Sequence, residues 1–384
     1  MQARPALPPL TIRGRALLPI VQGGMGVGVS AHRLAGNVAR LGALGTIAAV
    51  DLRRHHPDLL ARTRHCRDGP TIDRANLEAL DREIVAAKAI ANGHGMLAVN
   101  VMRAVTSYAD LVHRACEGGI DAIVMGAGLP LDLPDLVADF PDVALIPILS
   151  DARGIQLVVR KWARKQRLPD AIVIEHPRYA GGHLGAASVA DLADPRFDFE
   201  RVVPEALAFF REQGIAEGRI PLIVAGGINS HARIRELLAL GAAGVQLGTA
   251  FAVTQEGDAA DAFKATLANA KPEDIVEFVS VAGLPARAVR TRWLDAYLKH
   301  LPAMQAAAHV KPRCTLHFDC LIHCGLRDGN AKIGQFCIDT QLAAALRGDV
   351  RTGLFFRGAA SLPFGNEIRP VRDLIDYLMT GIRD

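Results

Sequence analysis

The stretch IEHPRYAGGHLGA, from Ile174 to Ala186, gathers the side chains most able to do chemistry. Glu175, His176, Arg178, Tyr179 and His183 supply a carboxyl, two imidazoles, a guanidinium and a phenol around Gly181 and Gly182. An imidazole titrates near neutrality and can relay a proton or hold an anion. Glycine loses more backbone freedom on folding than other residues, so such a loop is either a surface turn or a place where backbone and ligand approach closely. A second set is Gly226 and Gly227 in AGGINS, with Gly248 and Thr249 in LGTAF. Backbone N–H groups in glycine-rich turns at a helix start can hold a phosphate. A third set is Cys314, Cys320, Cys324 and Cys337, separated by five, three and twelve residues, with His317 and His323 interleaved.

The elements that must position these groups are eight apolar runs: LPIVQ (18–22), GTIAA (45–49), MLAVNV (96–101), DAIVM (121–125), VALIPIL (143–149), DAIVIE (170–175), IPLIVA (220–225) and GVQLG (244–248). They are continuously apolar rather than alternating, as parallel strands buried on both faces are. Eight of them, with helical segments between, predict an α/β fold, a (β/α)8 TIM barrel. An open doubly wound sheet is the rival architecture. SAHRLAGNVARLGAL places Leu34, Val38 and Leu41 on one helix face behind a serine N-cap; SHARIRELLALGA does the same with Ile234, Leu237 and Leu238. The stretch 51–95 is too long for a simple crossover and predicts a helical insertion. The glycine-rich and polar groups all follow strand ends, which is the rim where barrels carry their sites. Gly226, Gly227, Gly248 and Thr249 follow the last two strands, where barrels commonly bind phosphate. QGGMGVG after the first strand lacks the acidic residue that would close a dinucleotide-binding unit.

The chain has 384 residues, half of them hydrophobic, with 44 basic and 40 acidic residues and a formal net charge of +4. No basic tract is present, so nucleic acid is not an expected partner. No run reaches membrane-spanning length, and prolines interrupt the N-terminal segment where a signal peptide needs a continuous apolar run. A cytoplasmic protein with a small-molecule substrate and no membrane partner is expected; a homodimer is left open.

PIVQGGMGVGVS, LAVNVM, GAGLP, AGGHLGA, IPLIVAGGINS, GAAGVQLGTAF and VAGLPARAVRTRWL together span most of the first 295 residues. In that order they resemble the nitronate monooxygenase family, formerly 2-nitropropane dioxygenases, and its enoyl reductase and quinone reductase relatives. The resemblance implies an FMN-binding barrel. It places Gly24, Met25, Gln22 and Asn100 along the isoalloxazine, and Gly226, Gly227, Gly248 and Thr249 on the FMN phosphate. It puts Gly181 and Gly182 close to the flavin, small because the ring needs the space, and assigns His183 as the catalytic acid/base or substrate anchor. Many members carry an acid directly before AGGH, whereas this chain has Arg178 and Tyr179 as substrate-side candidates, with the acid displaced to Glu175.

Residues 1–295 are read as the barrel and 296–384 as a mostly helical, cysteine-containing region packed on it. The cysteine spacing is not that of a zinc ribbon. It is loosely similar to the loops that hold iron–sulfur clusters in some flavin barrels, glutamate synthase among them, with zinc or simple packing as alternatives. Leu342, Leu346, Val371, Leu374, Ile375 and Leu378 have helical spacing, and Phe355, Phe356 or Phe364 either fills core or lies over the site as a lid. The leading expectation is oxidation of a nitronate or related anion with O2. The alternatives are an NAD(P)H-dependent reductase of an enoyl thioester or quinone, with or without an iron–sulfur centre, and a barrel that binds a phosphorylated ligand without turnover.

Overall fold

The computed structural model describes residues 7–309, 314 and 320–383. Eight parallel strands close into a TIM barrel: β1 (Ile20–Gln22), β2 (Leu44–Ala48), β3 (Met96–Met102), β4 (Ala122–Gly126), β5 (Ala144–Leu149), β6 (Ile172–Glu175), β7 (Leu222–Ala225) and β8 (Gly244–Leu247). Each pairs with the next, and β8 pairs with β1. Successive side chains of a strand point to opposite faces. In β4, Ala122 and Val124 therefore fill the barrel interior while Ile123 and Met125 meet the helical shell. Both faces are apolar, which is why the runs read as continuous. Leu10 and Ile12, from a hairpin of Leu10–Ile12 and Arg15–Leu17, join the interior cluster and plug the end where the strands begin.

Charged groups tie that lower end. Asp121 accepts from the Leu97 amide at 2.8 Å and pairs with Arg15, while Asp170 accepts from Leu145 at 2.9 Å and pairs with Arg13 and Arg167. Stability is thus concentrated at the bottom, which leaves the strand C-terminal ends free for function.

The helix Leu34 belongs to runs His32–Arg40, but Ser30 does not cap it. Its hydroxyl accepts from the Met25 amide instead, at 2.8 Å. The orphan amides of Ala31, Arg33 and Leu34 are taken by the carboxylate of Asp258, more than two hundred residues away, at 2.8, 3.1 and 3.1 Å. Ser230 does cap the helix His231–Ala239, accepting from the Arg233 amide. The insertion after β2 holds a 3-10 turn at Leu52–His55 and helices Pro57–Thr63 and Gly69–Ala91.

Two hairpins were not read from the sequence, the N-terminal one above and one that follows the barrel. Ile275–Val279 and Pro285–Val289 form an antiparallel hairpin, and Gly182–His183 adds to it as a third strand with His183 opposite Ala286. Beyond it lie helices Arg292–Ala306, Gly325–Asp328, Ile338–Leu346 and Val371–Thr380. The last docks beside the barrel, where His231 Nδ1 bonds the Leu378 carbonyl at 2.9 Å. Phe355 is core, packed on Phe263, and Phe364 packs on Tyr377; only Phe356 of the three reaches the site, as described below. Among the described residues no helix is long and apolar enough to cross a membrane.

Asp258→Ala is expected to leave three helix-start amides unsatisfied and to cost about 2 kcal/mol of unfolding free energy. A urea titration checks this, and an unchanged midpoint would show that Asp258 does not act as the cap.

Candidate functional site

A cavity of about 970 Å³ opens at the C-terminal ends of the strands, bounded by barrel loops on one side and the C-terminal region on the other. That is at the upper end of ordinary ligand pockets. Its walls include Gly24 and Met25 after β1, Asn100 in β3, Glu175 at the end of β6, Tyr179, Gly181, Gly182 and His183 in the next loop, Gly226 and Gly227 after β7, and Gly248 and Thr249 after β8. Most residues picked out in the sequence are thus brought to one space.

Two are not. Gln22 is fully buried beneath the cavity, and its side-chain amide is used up on β2, donating to the Thr46 carbonyl at 3.1 Å and accepting from the Thr46 amide at 2.8 Å. Arg178 is exposed and donates to the Ala193 carbonyl at 3.1 Å, on the outside of the loop. Neither lines the cavity, so Gln22 is corrected to a strand-to-strand link and Arg178 to a loop brace. In contrast, Tyr179 stays at the wall, stacked obliquely on His176 with ring centroids 4.7 Å apart. His176 is structural, buried and bonded through Nε2 to Asp198 at 3.2 Å.

The small size of Gly181 also has a different cause from the expected one. A Cβ there would stand 2.6 Å from the carbonyl carbon of Arg357 and the amide nitrogen of Gly358, so the residue is small to let the C-terminal backbone pass. Gly182 has φ +72° and faces the Phe356 ring. Gly24 is pressed on Asn100, where a Cβ would approach the asparagine Cβ to 2.3 Å. Gly226 and Gly227, at φ +104° and +75°, adopt a left-handed turn that favours glycine whatever is bound.

His183 is held by the hairpin. Its Nε2 lies 3.0 Å from the hydroxyl of Ser280, a fully buried residue at the hairpin turn, and its ring is 5.8 Å from that of Phe356. Burial among uncharged groups lowers its pKa to about 4, so the imidazole is neutral near pH 7. Burial acts on Glu175 in the opposite sense, raising its carboxyl to about 7. A neutral imidazole and a readily protonated carboxyl therefore line the same cavity. Gln246 adds a third polar group: its Oε1 is buried without a partner among the described residues, and the side chain covers Gly23.

The C-terminal region contributes Asp339. Arg54 bridges Asp51 and Asp339, at 2.6 Å to each, and Arg53 pairs with Asp51 at 2.7 Å. Burial together with the charge of Asp51 pushes the Asp339 carboxyl up to about 7, while the two arginines hold Asp51 below its ordinary value. Cys320 lies at the cavity wall close to this cluster; burial pushes its thiol up, reinforced by Asp339 and by Cys337, Cys324 and Cys314. Cys324 Sγ accepts from the Arg327 amide at 3.5 Å, and Cys337 Sγ from the Thr340 hydroxyl at 3.2 Å. All four thiols are free, and among the described residues no three His, Cys, Asp or Glu side chains are arranged to hold a metal ion. Cys320 and Cys324 pack with Leu321, Phe336 and Ile338; His317 lies outside the described residues.

Sequence reasoning did not pick out Ser280, Gln246, Asp339 or Arg357. Gln246 carried a signal, being the single polar residue inside an otherwise apolar strand.

Fold and site together define a (β/α)8 enzyme whose ligand cavity is capped by its own C-terminal region. A family model described as nitronate monooxygenase matches residues 13–381. A probable nitronate monooxygenase of Staphylococcus saprophyticus is 25% identical over 289 residues, covering 72% of this chain and 76% of that one. A second, of Bacillus subtilis, is 26% identical over 289 residues, covering 72% and 78%. Among solved structures, a FabK mutant from Thermotoga maritima superposes with a TM-score of 0.64 at 21% identity, over 94% of this chain and 91% of that one. A nitroalkane oxidase from Streptomyces ansochromogenes gives 0.62 at 19%, over 94% of each. The chain belongs to the nitronate monooxygenase family, and it is an FMN-dependent oxidoreductase.

Two outcomes are expected of this geometry. Gly181→Ala should push the Arg357–Gly358 backbone away and lower the melting temperature, whereas an unchanged melting curve would mean the contact is not close. In the flavin-free protein Glu175 binds its proton more tightly folded than unfolded. Its contribution is therefore complete below about pH 4.5 and is lost as pH rises through about 7. Glu175→Gln should accordingly gain stability over the parent between about pH 5 and about pH 8, and parallel melting curves across that range would contradict a buried carboxyl.

Proposed function

We propose that this enzyme oxidises a nitronate or a related stabilised carbanion, with O2 as the electron acceptor. The observation that carries the reading is the presence of a neutral His183 and a desolvated Glu175 in one cavity. An ionised carboxylate would repel an anionic substrate. A protonated Glu175 instead donates a hydrogen bond to it, and the neutral imidazole of His183, steadied by Ser280, can take the proton of the neutral carbon acid from which that anion forms.

The cavity suits FMN on its own evidence. The unpartnered Oε1 of Gln246 lacks a donor that a ligand N–H would supply, and the space is large enough for a cofactor and a small substrate. In this reading Gly24, Met25, Asn100, Gly181 and Gly182 border the ring system, and Gly226, Gly227, Gly248 and Thr249 receive the phosphate. FMN supplies the redox chemistry, taking electrons from the substrate and returning them to O2. Phe356 narrows the space beside His183 and limits water there. The electrons are taken from the substrate itself, so neither NAD(P)H nor an iron–sulfur centre is needed.

Anaerobic addition of propane-2-nitronate is expected to bleach the visible flavin band, and NADH or NADPH to leave it unchanged. Bleaching by a nicotinamide alone would replace the proposal with a reductase of an enoyl thioester or quinone. His183→Ala with its FMN retained is expected to lose about 10²–10⁴-fold in turnover; full turnover would remove His183 from the chemistry.

A further inference from the structure

Arg357 is 4% exposed and lines the cavity, yet no carboxylate among the described residues pairs with it. Its Nε donates to the Leu267 carbonyl at 2.9 Å, and its Nη1 to the carbonyls of Gly358 and Ala360 at 2.9 and 3.3 Å. Nη2 keeps two N–H donors with no partner among the described residues. The other deeply buried guanidiniums are neutralised, Arg53 by Asp51 and Arg287 by Glu277. Carbonyl oxygens bear partial charge only, and a buried cation without a counter-ion is costly, so this position calls for an anion.

The place of Arg357 says which anion. The amide of Gly358 donates to Thr249 Oγ1 at 3.0 Å, which fixes the arginine's own peptide against the loop that follows β8. Having accepted that bond, the Thr249 hydroxyl still has its proton to donate. The two free N–H groups of Nη2, the Thr249 hydroxyl and the glycine backbone of the β7 and β8 loops together fit a phosphomonoester, and a rigid guanidinium edge suits phosphate better than a mobile ammonium would.

We propose that Arg357 is the counter-ion of a phosphomonoester bound at the β7–β8 end of the cavity, so that the C-terminal region selects FMN over the same flavin without its phosphate. The proposal rests on the reading that this cavity seats FMN. It adds that a residue far outside the barrel strands sets the cofactor's identity.

The test is equilibrium binding of FMN and of riboflavin to the flavin-free full chain, followed by flavin fluorescence, for the parent, Arg357→Gln and Arg357→Lys. Arg357→Gln is expected to weaken FMN about 30-fold or more while riboflavin affinity stays within about threefold. Arg357→Lys keeps the charge but loses the carbonyl bonds that fix the guanidinium and its free Nη2 donors, and is expected to weaken FMN about tenfold. Riboflavin binding reports that the cavity is folded; if Arg357→Gln loses it, Arg357→Lys decides. An FMN-to-riboflavin ratio equal to the parent's in the readable variant overturns the proposal. So does a variant that binds FMN as the parent does but raises the substrate KM, because the anion would then be the substrate's. A parent that binds neither flavin defeats the cofactor reading instead. Arg357 is then tested through inorganic phosphate, which must raise the melting temperature of the parent and not of Arg357→Gln; equal rises overturn the proposal.

Discussion

The site depends on one close approach, in which the backbone of Arg357 and Gly358 lies against Gly181 with no room for a Cβ between them. That contact joins pieces remote in the chain. The loop after β6 is held flat, so Gly182–His183 can add to the hairpin at Pro285–Val289. The hairpin turn then offers Ser280 to His183, and the same crossing lets Gly358 bond Thr249 after β8. A barrel alone leaves its strand ends open to water. Here the C-terminal region closes them, so polar groups on the rim are desolvated.

Desolvation explains the chemistry available. Burial disfavours whichever form is charged, so it raises a carboxyl and lowers an imidazole. Glu175 and His183 move in opposite directions for the same reason, and both are uncharged just below neutrality. Asp51, one of several aspartates lining the cavity with Asp73, Asp110 and Asp151, is countered by Arg53 and Arg54.

The barrel was legible because its signal is local: strands buried on both faces are apolar along their length, and Ala122 to Gly126 shows this residue by residue. The rim loops were legible for the same reason, since whatever follows a barrel strand lies at the rim. What did not show in the sequence is direction and long-range partnership. Gln22 and Gln246 look alike on paper, yet one is consumed by Thr46 and the other is left unpartnered beside Gly23. Arg178 sits in the site loop but points outward to Ala193. Gly181 is small for Arg357, which lies almost half the chain away. The cap on the helix His32–Arg40 comes from Asp258 rather than the adjacent Ser30. Each is decided by a contact that no spacing rule contains.

The central claim is that the rim cavity is a flavin site closed by the C-terminal region. The visible absorption spectrum of the full chain, with the released chromophore identified, tests it most directly. Flavin bands from one FMN per chain are expected. A colourless protein that does not take up added FMN would contradict it.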